Sequence, residues 1–249
     1  MSNQYYIASC VFTRQFPEVS QFIQQYIKEH FGMPIVRCCI PNYHIKAFED
    51  AMKPGYLDSW KALPDCADFQ PGDIVYSLCH NCSNIIEETK PGVQLVSLWE
   101  LILQDKSFSY PDFHGMKVTV QDCWRSRERE AEQEAVRSIL TKMNIRFVEA
   151  PQNHGQTEFC GSSLYREQPA RNPKLAPKHY KEQAIDKFEP HSPEEQIALM
   201  KQYSSQFTTD TVVCYCHYCL EGLLQGGVDG RHLAHMLFQK IKIFEEELV

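Results

Sequence analysis

Cysteine is the residue type with the most chemistry to offer in this chain. Eleven cysteines stand at positions 10, 38, 39, 66, 79, 82, 123, 160, 214, 216 and 219. The thiolate is both nucleophile and metal ligand. Two pairs are spaced C-x-x-C: Cys79-His80-Asn81-Cys82 and Cys216-His217-Tyr218-Cys219. That spacing lets one turn of chain aim two sulfurs at one point, and the amino end of a following helix favours their negative charge. A chain of 249 residues can bury a core without disulfide staples, so metal or redox chemistry is the leading use for the sulfurs.

The surroundings of the two pairs repeat. Asp73–Leu78 leads into Cys79 as Asp210–Tyr215 leads into Cys216, and Gln4–Ser9 leads into Cys10 as Lys117–Asp122 leads into Cys123. All four are short β-prone runs. Phe16–His30 and Glu128–Met143 follow with apolar residues near a 3.6 period, which predicts helices. Strands are expected at Met33–Val36 and Ile145–Ala150, then Cys38-Cys39 or Cys160, and helices at Gln94–Leu103 and Arg231–Phe244. The unit is strand, Cys, helix, strand, Cys, connection, strand, C-x-x-C, helix. Such alternation predicts two α/β, Rossmann-like halves with largely parallel sheets. Ligands of these sheets sit beyond the carboxyl ends of the strands, where every repeated cysteine falls. The boundary is expected in the turn-rich Tyr110–Gly115, giving halves 1–112 and 113–249, with a polar, proline-bearing surface excursion around 165–195 and a short helix near Lys181–Phe188.

The first half offers five converging sulfurs, Cys10, Cys38, Cys39, Cys79 and Cys82. That is one more than a tetrahedral zinc site or a four-cysteine cluster uses. The second half offers Cys123, Cys160, Cys216 and Cys219. Cys214, two residues before Cys216 on a strand, is a candidate substitute fifth ligand, whereas Cys66 has no counterpart and reads as an incidental thiol. Arg37, Arg125 and Arg127 flank the motifs as candidate neutralising charges or as solvated side chains. The mixed charges of Glu128–Glu134 read as an exposed helix face. Trp124, Phe159 and Tyr218 read as shielding or core aromatics.

Hydrophobic residues are 43% and charged residues 23%, a composition that folds rather than stays disordered. A net charge of -7 gives no basic surplus for nucleic acid. No apolar run approaches the roughly 18 residues of a membrane span. MSNQYYIASCVF lacks the features of a signal peptide, so the expected compartment is the cytoplasm, where thiols stay reduced. No G-x-G-x-x-G, P-loop, G-x-S-x-G or H-E-x-x-H occurs, so no nucleotide or flavin is expected and electrons would come from a partner protein.

The doubled pattern C…CC(G)…C-x-x-C resembles the cysteine-rich CCG domain family, found in the disulfide-reducing component of heterodisulfide reductase and in related redox complexes. The resemblance covers nearly the whole chain: Gly115–Cys123 looks like the entry into a second motif, Glu158-Phe159-Cys160-Gly161 falls where the second CCG belongs, and Val96–Leu101 resembles the segment after the first C-x-x-C. It implies a noncubane [4Fe-4S] cluster on Cys10, Cys38, Cys39, Cys79 and Cys82, and an oxidoreductase that passes electrons to a thiol/disulfide or other small substrate within a larger complex. The sequence departs from the pattern at Ile40, in place of glycine, and at Phe159, in place of a cysteine. The second set then stands open to a cubane cluster, a modified noncubane cluster or zinc. Two other functions fit the residues: a zinc-stabilised, non-catalytic interaction module, and a cluster-free enzyme using a C-x-x-C dithiol.

Overall fold

The computed structural model describes residues 2–166 and 173–238. In the first half the elements are β1 (Gln4–Ile7), α1 (Cys10–Gln15), α2 (Pro17–Phe31), β2 (Ile35–Val36), α3 (Ile45–Asp50), α4 (Pro54–Ala62), β3 (Ile74–Ser77), α5 (His80–Thr89), β4 (Gln94–Ser97) and α6 (Leu98–Gln104). The second half has β5 (Lys117–Gln121), α7 (Glu130–Lys142), β6 (Arg146–Glu149), α8 (Pro193–Ser204), β7 (Thr211–Cys214), α9 (His217–Gln225), β8 (Asp229–His232) and α10 (Leu233–Phe238). Single turns of 3-10 helix lie at Trp124–Ser126, His154–Gln156 and Gly161–Leu164.

Each half is an α/β unit on a four-stranded sheet, in the orders β2-β1-β3-β4 and β6-β5-β7-β8. Every strand pair is parallel. The expected two α/β halves with parallel sheets are therefore present. Parallel sheets are covered on both faces, and the strands are apolar accordingly: Ile7, Val75, Val118, Val120, Val212 and Val213 have no exposed surface. From β1 and β5 the chain moves outward to β2 and β6, then returns to β3 and β7 on the other side. The crevice between the two central strands of each sheet is thus a topological switch point, the place where such sheets bind ligands.

Both halves carry a strand that the sequence pattern does not reveal. The helices expected at Gln94–Leu103 and Arg231–Phe244 begin instead as β4 and β8, and the helices proper start at Leu98 and Leu233. Residues 239–244 lie outside the described residues. Four-residue edge strands that run directly into a helix are too short to display a period of two.

The chain divides into two compact units between Leu101 and Ile102, ahead of the turn at Tyr110–Gly115. The segment from Ile102 onward is tied to the second unit. Tyr110 Oη donates to the Ile102 carbonyl at 3.1 Å, Phe108 meets Phe238 edge-on at 5.8 Å, and Lys142 lies 5.5 Å from the Tyr110 ring.

The excursion is not a surface loop throughout. Ala176, Tyr180 and Ala184 are buried, and Lys178–Glu182 forms a π-turn in place of the helix expected at Lys181–Phe188. After it comes α8, which starts at a capping box. Glu195 N–H donates to Ser192 Oγ at 3.3 Å, and Ser192 N–H to the Glu195 carboxylate at 2.8 Å. The S-x-x-E spacing with Pro193 at the first helical position carries that signal. Ser192→Ala is expected to lower stability by about 1 kcal/mol in urea denaturation.

Candidate metal centre

The repeated cysteines cluster beyond strand ends. Cys10, Cys38-Cys39 and Cys79 follow β1, β2 and β3, and Cys123 and Cys216 follow β5 and β7. Cys79 and Cys216 are the N-cap residues of α5 and α9. Cys82 and Cys219 therefore fall in the first helical turn, where the orphan N–H groups favour thiolate charge.

The second half brings its four cysteines together. The sulfurs of Cys123, Cys160, Cys216 and Cys219 all lie within 4.8 Å of one another and all are buried. Cys123 Sγ is 3.4 Å from Cys160 Sγ. A tetrahedral ion with sulfur bonds of about 2.3 Å needs its sulfurs about 3.8 Å apart. The donor set, its spacing and its burial fit a single thiolate-bound ion. A four-iron cluster would hold the same sulfurs further apart, because it places several metal and sulfide atoms between them. Without metal, burial pushes the thiols of Cys123 and Cys219 well up. Cys160 is the exception. Burial raises it too, but hydrogen bonds from Cys123 and Cys219 and the Arg125 guanidinium hold it below the usual thiol range.

Glycine makes this convergence sterically possible. Gly161 has φ +59°, and a Cβ there would run into the Tyr218 carbonyl of α9. A Cβ on Gly222 would meet the Gly161 backbone and the Met200 sulfur. The loop after Cys160 and the helix carrying Cys219 touch backbone to backbone. The corresponding residues of the first half are Ile40 and Ile85, so loop and helix cannot approach as closely there.

The first-half cysteines also face one another, less tightly. Cys82 is in hydrogen-bond contact with Cys39 and Cys79, and Cys10 lies in the field of Cys39 and Cys79. Cys38 lies in the field of Cys10, Asp65 and Cys39. Among the described residues, the groups of three or more potential ligands all within 4.8 Å are the second-half cysteines and Asp122, Glu149 and His154. Burial pushes the Cys66 thiol up to about 11, and its Sγ donates to the Ala67 carbonyl at 3.3 Å.

Cys214 does not join the second-half group. Its thiol donates to the Cys216 carbonyl at 3.7 Å, and in the first half Ser77 Oγ accepts the Cys79 backbone N–H at 3.0 Å. Both are last strand residues that brace a C-x-x-C loop. Phe159, at the position of the absent cysteine, stacks on Tyr203 of α8 at 4.2 Å. Its carbonyl receives Trp124 N–H at 2.8 Å, which ties the Cys160 loop to the Cys123 loop.

A buried ionic clamp, which no local sequence pattern announces, holds these loops in place. Arg137 of α7 grips both oxygens of Asp122 at 2.7 Å and the Glu149 carboxylate at 2.6 Å. Asp122, fully buried, also receives Tyr215 Oη at 2.6 Å and His154 N–H at 2.9 Å. Asp122 precedes Cys123 and Tyr215 precedes Cys216, so the clamp fixes two ligands directly. Of the face expected to be exposed, Glu128, Glu130 and Glu134 are exposed whereas Glu132 and Gln133 are buried, and Arg137 further along α7 is buried too. Arg137 bridges Asp122 and Glu149 and offsets one of their two negative charges. Arg37 turns to Glu49 at 2.9 Å, and Arg127 lies 5.6 Å from the Trp124 ring, whereas Arg125 is buried against Cys160 and Ser163.

Two substitutions test this construction. Gly161→Ala should cost about 3 kcal/mol or more by chemical denaturation, combining a positive φ with a backbone clash. Arg137→Met should cost about 3–5 kcal/mol, because Asp122 would be left buried and partly unpaired. Wild-type unfolding midpoints would show that loop and clamp relax freely.

No protein-family model and no curated protein matches the chain. Among solved structures it is similar to a glutamate racemase isoform from Bacillus anthracis, at 10% identity and a TM-score of 0.30, over 99% of this chain and 82% of that one. A likeness that weak carries no functional argument. No helix of the described residues is long and apolar enough to cross a membrane.

Proposed function

We propose that this chain is a metal–thiolate oxidoreductase component resembling the CCG-domain part of heterodisulfide reductase. The observation that carries the metal part is the set of four buried sulfurs within 4.8 Å of one another at a sheet switch point. Burial pushes the thiols of Cys123 and Cys219 up, which leaves them protonated and poor nucleophiles in the absence of metal. Metal binding supplies the compensation for their ionisation.

The redox part rests on the first half. Its five cysteines match the ligand set of a noncubane [4Fe-4S] cluster in the resembling family, and its looser packing suits an occupant larger than one ion. Such a cluster supplies one-electron chemistry when bound. Cys10, Cys38, Cys39, Cys79 and Cys82 would hold it. Electrons would arrive from partner subunits and leave to a thiol/disulfide or another small substrate. Reduction of a disulfide consumes two electrons and two protons and yields two thiols.

A second reading has its own support. The second-half sulfurs stand at the spacing of a mononuclear ion, and a closed four-cysteine site is the usual form of structural zinc. If the first half also takes only zinc, the protein is an interaction module without redox chemistry.

Iron, zinc and labile sulfide measured on protein purified without oxygen separate the two. The redox reading expects about four irons with sulfide, lost in Cys39→Ser, plus one ion lost in Cys216→Ser. Zinc alone in both halves would establish the interaction module. Metal-free protein that takes up neither iron nor zinc would end both readings.

A further inference from the structure

Arg125 is buried beside sulfur rather than beside a carboxylate. One guanidinium nitrogen contacts Cys160 Sγ and lies 3.1 Å from Ser163 Oγ. Its Nε is buried without a hydrogen-bond partner. Around it also lie the rings of Tyr218, Trp124 and Tyr180, centred 5.2, 5.8 and 6.0 Å away, and it stands in the field of Cys123 and Cys216 as well as Cys160. Arginine cannot shed its charge on burial as lysine or histidine can. An unpaired buried cation is costly, and ring faces offset that cost only in part. Of these neighbours, the Cys160 sulfur is the one in direct contact with the guanidinium that could carry a negative charge as a metal ligand.

Four thiolates around a divalent ion leave a net negative centre, as do four thiolates around a cluster core of the same charge. The halves differ here in a consistent way. At the position of Arg125 the first half has Phe12, and at the position of Cys38 the second half has Phe159. At these two aligned positions the second half has one sulfur fewer and one cation more.

We propose that Arg125 is the resident counter-ion of the second-half centre, requiring the four sulfurs to be held as an anionic tetrathiolate around a soft divalent cation. This rests on the metal reading above and adds the charge of the centre to it. Arg125 is a positioning residue: it acts through Cys160, whose charge it offsets by contact.

The test uses Co2+ as probe in a Cys10→Ser/Cys79→Ser background, which leaves three of the five converging first-half sulfurs, too few for a four-thiolate site there. The reduced, metal-free full chain is titrated without oxygen. One Co2+ should bind with the intense sulfur-to-metal absorption of a four-thiolate site. Arg125→Gln should weaken that affinity by about 10–100-fold, whereas Arg125→Lys should stay within about threefold of the parent. Arg125→Met, apolar and of similar length, serves as the second uncharged variant if the glutamine does not fold. Wild-type affinity and spectrum in an uncharged variant would overturn the counter-ion role and leave the metal reading standing. So would a loss in Arg125→Lys equal to that in Arg125→Gln, since charge would not be what matters. Failure of both uncharged variants to fold with Co2+ present would make Arg125 a structural cation and overturn the proposal. A folded parent that binds no Co2+ would sink the metal reading and this inference together.

Discussion

The buried Asp122 carboxylate organises the second half of the molecule. It follows β5, receives the Arg137 fork from α7, and accepts from the Tyr215 hydroxyl and the His154 backbone N–H. Tyr215 directly precedes Cys216, and His154 lies in the segment that leads to Cys160. An ionised carboxylate with no exposed surface is stable only when fully paired. The loops are therefore held in one arrangement by the electrostatic cost of every other. The sulfurs inherit this rigidity, and preorganised donors are what a tight metal site requires.

Two kinds of compensated charge thus lie close together at the carboxyl end of the second sheet. One is a carboxylate satisfied entirely by the protein. The other is the group of four buried sulfurs, with the Arg125 guanidinium against Cys160. The difference separates structure from function: the Asp122 clamp is closed within the protein, and the four sulfurs are spaced so that they could hold a metal ion.

The halves share a scaffold and diverge in their centres. Ser9 stands where the second half has Asp122, Phe12 where it has Arg125, and Ile40 and Ile85 where it has Gly161 and Gly222. Each difference loosens the first half or removes charge from it. One scaffold therefore carries a tight group of four sulfurs beside an arginine in one half and a less tightly packed, sulfur-richer group in the other.

Much of this is legible in the sequence. Cysteines at strand exits and two C-x-x-C pairs are local patterns, and the strand–helix alternation that aims them at one end of a parallel sheet follows from side-chain periodicity. The capping box of Ser192 is equally a local signal. Four things needed the tertiary structure. β4 and β8 are edge strands too short to show alternation and are defined by hydrogen bonds to β3 and β7. Arg125 and Arg137 look like ordinary helix-start and helix-face charges, and only the chain brought over them buries them. The glycine pair has meaning only because two backbones distant in sequence touch. The spacing of the sulfurs was decided by that contact together with the Asp122 clamp. Ligand identity is local chemistry, fixed by residue type. Ligand geometry is a sum of long-range contacts that no local pattern encodes.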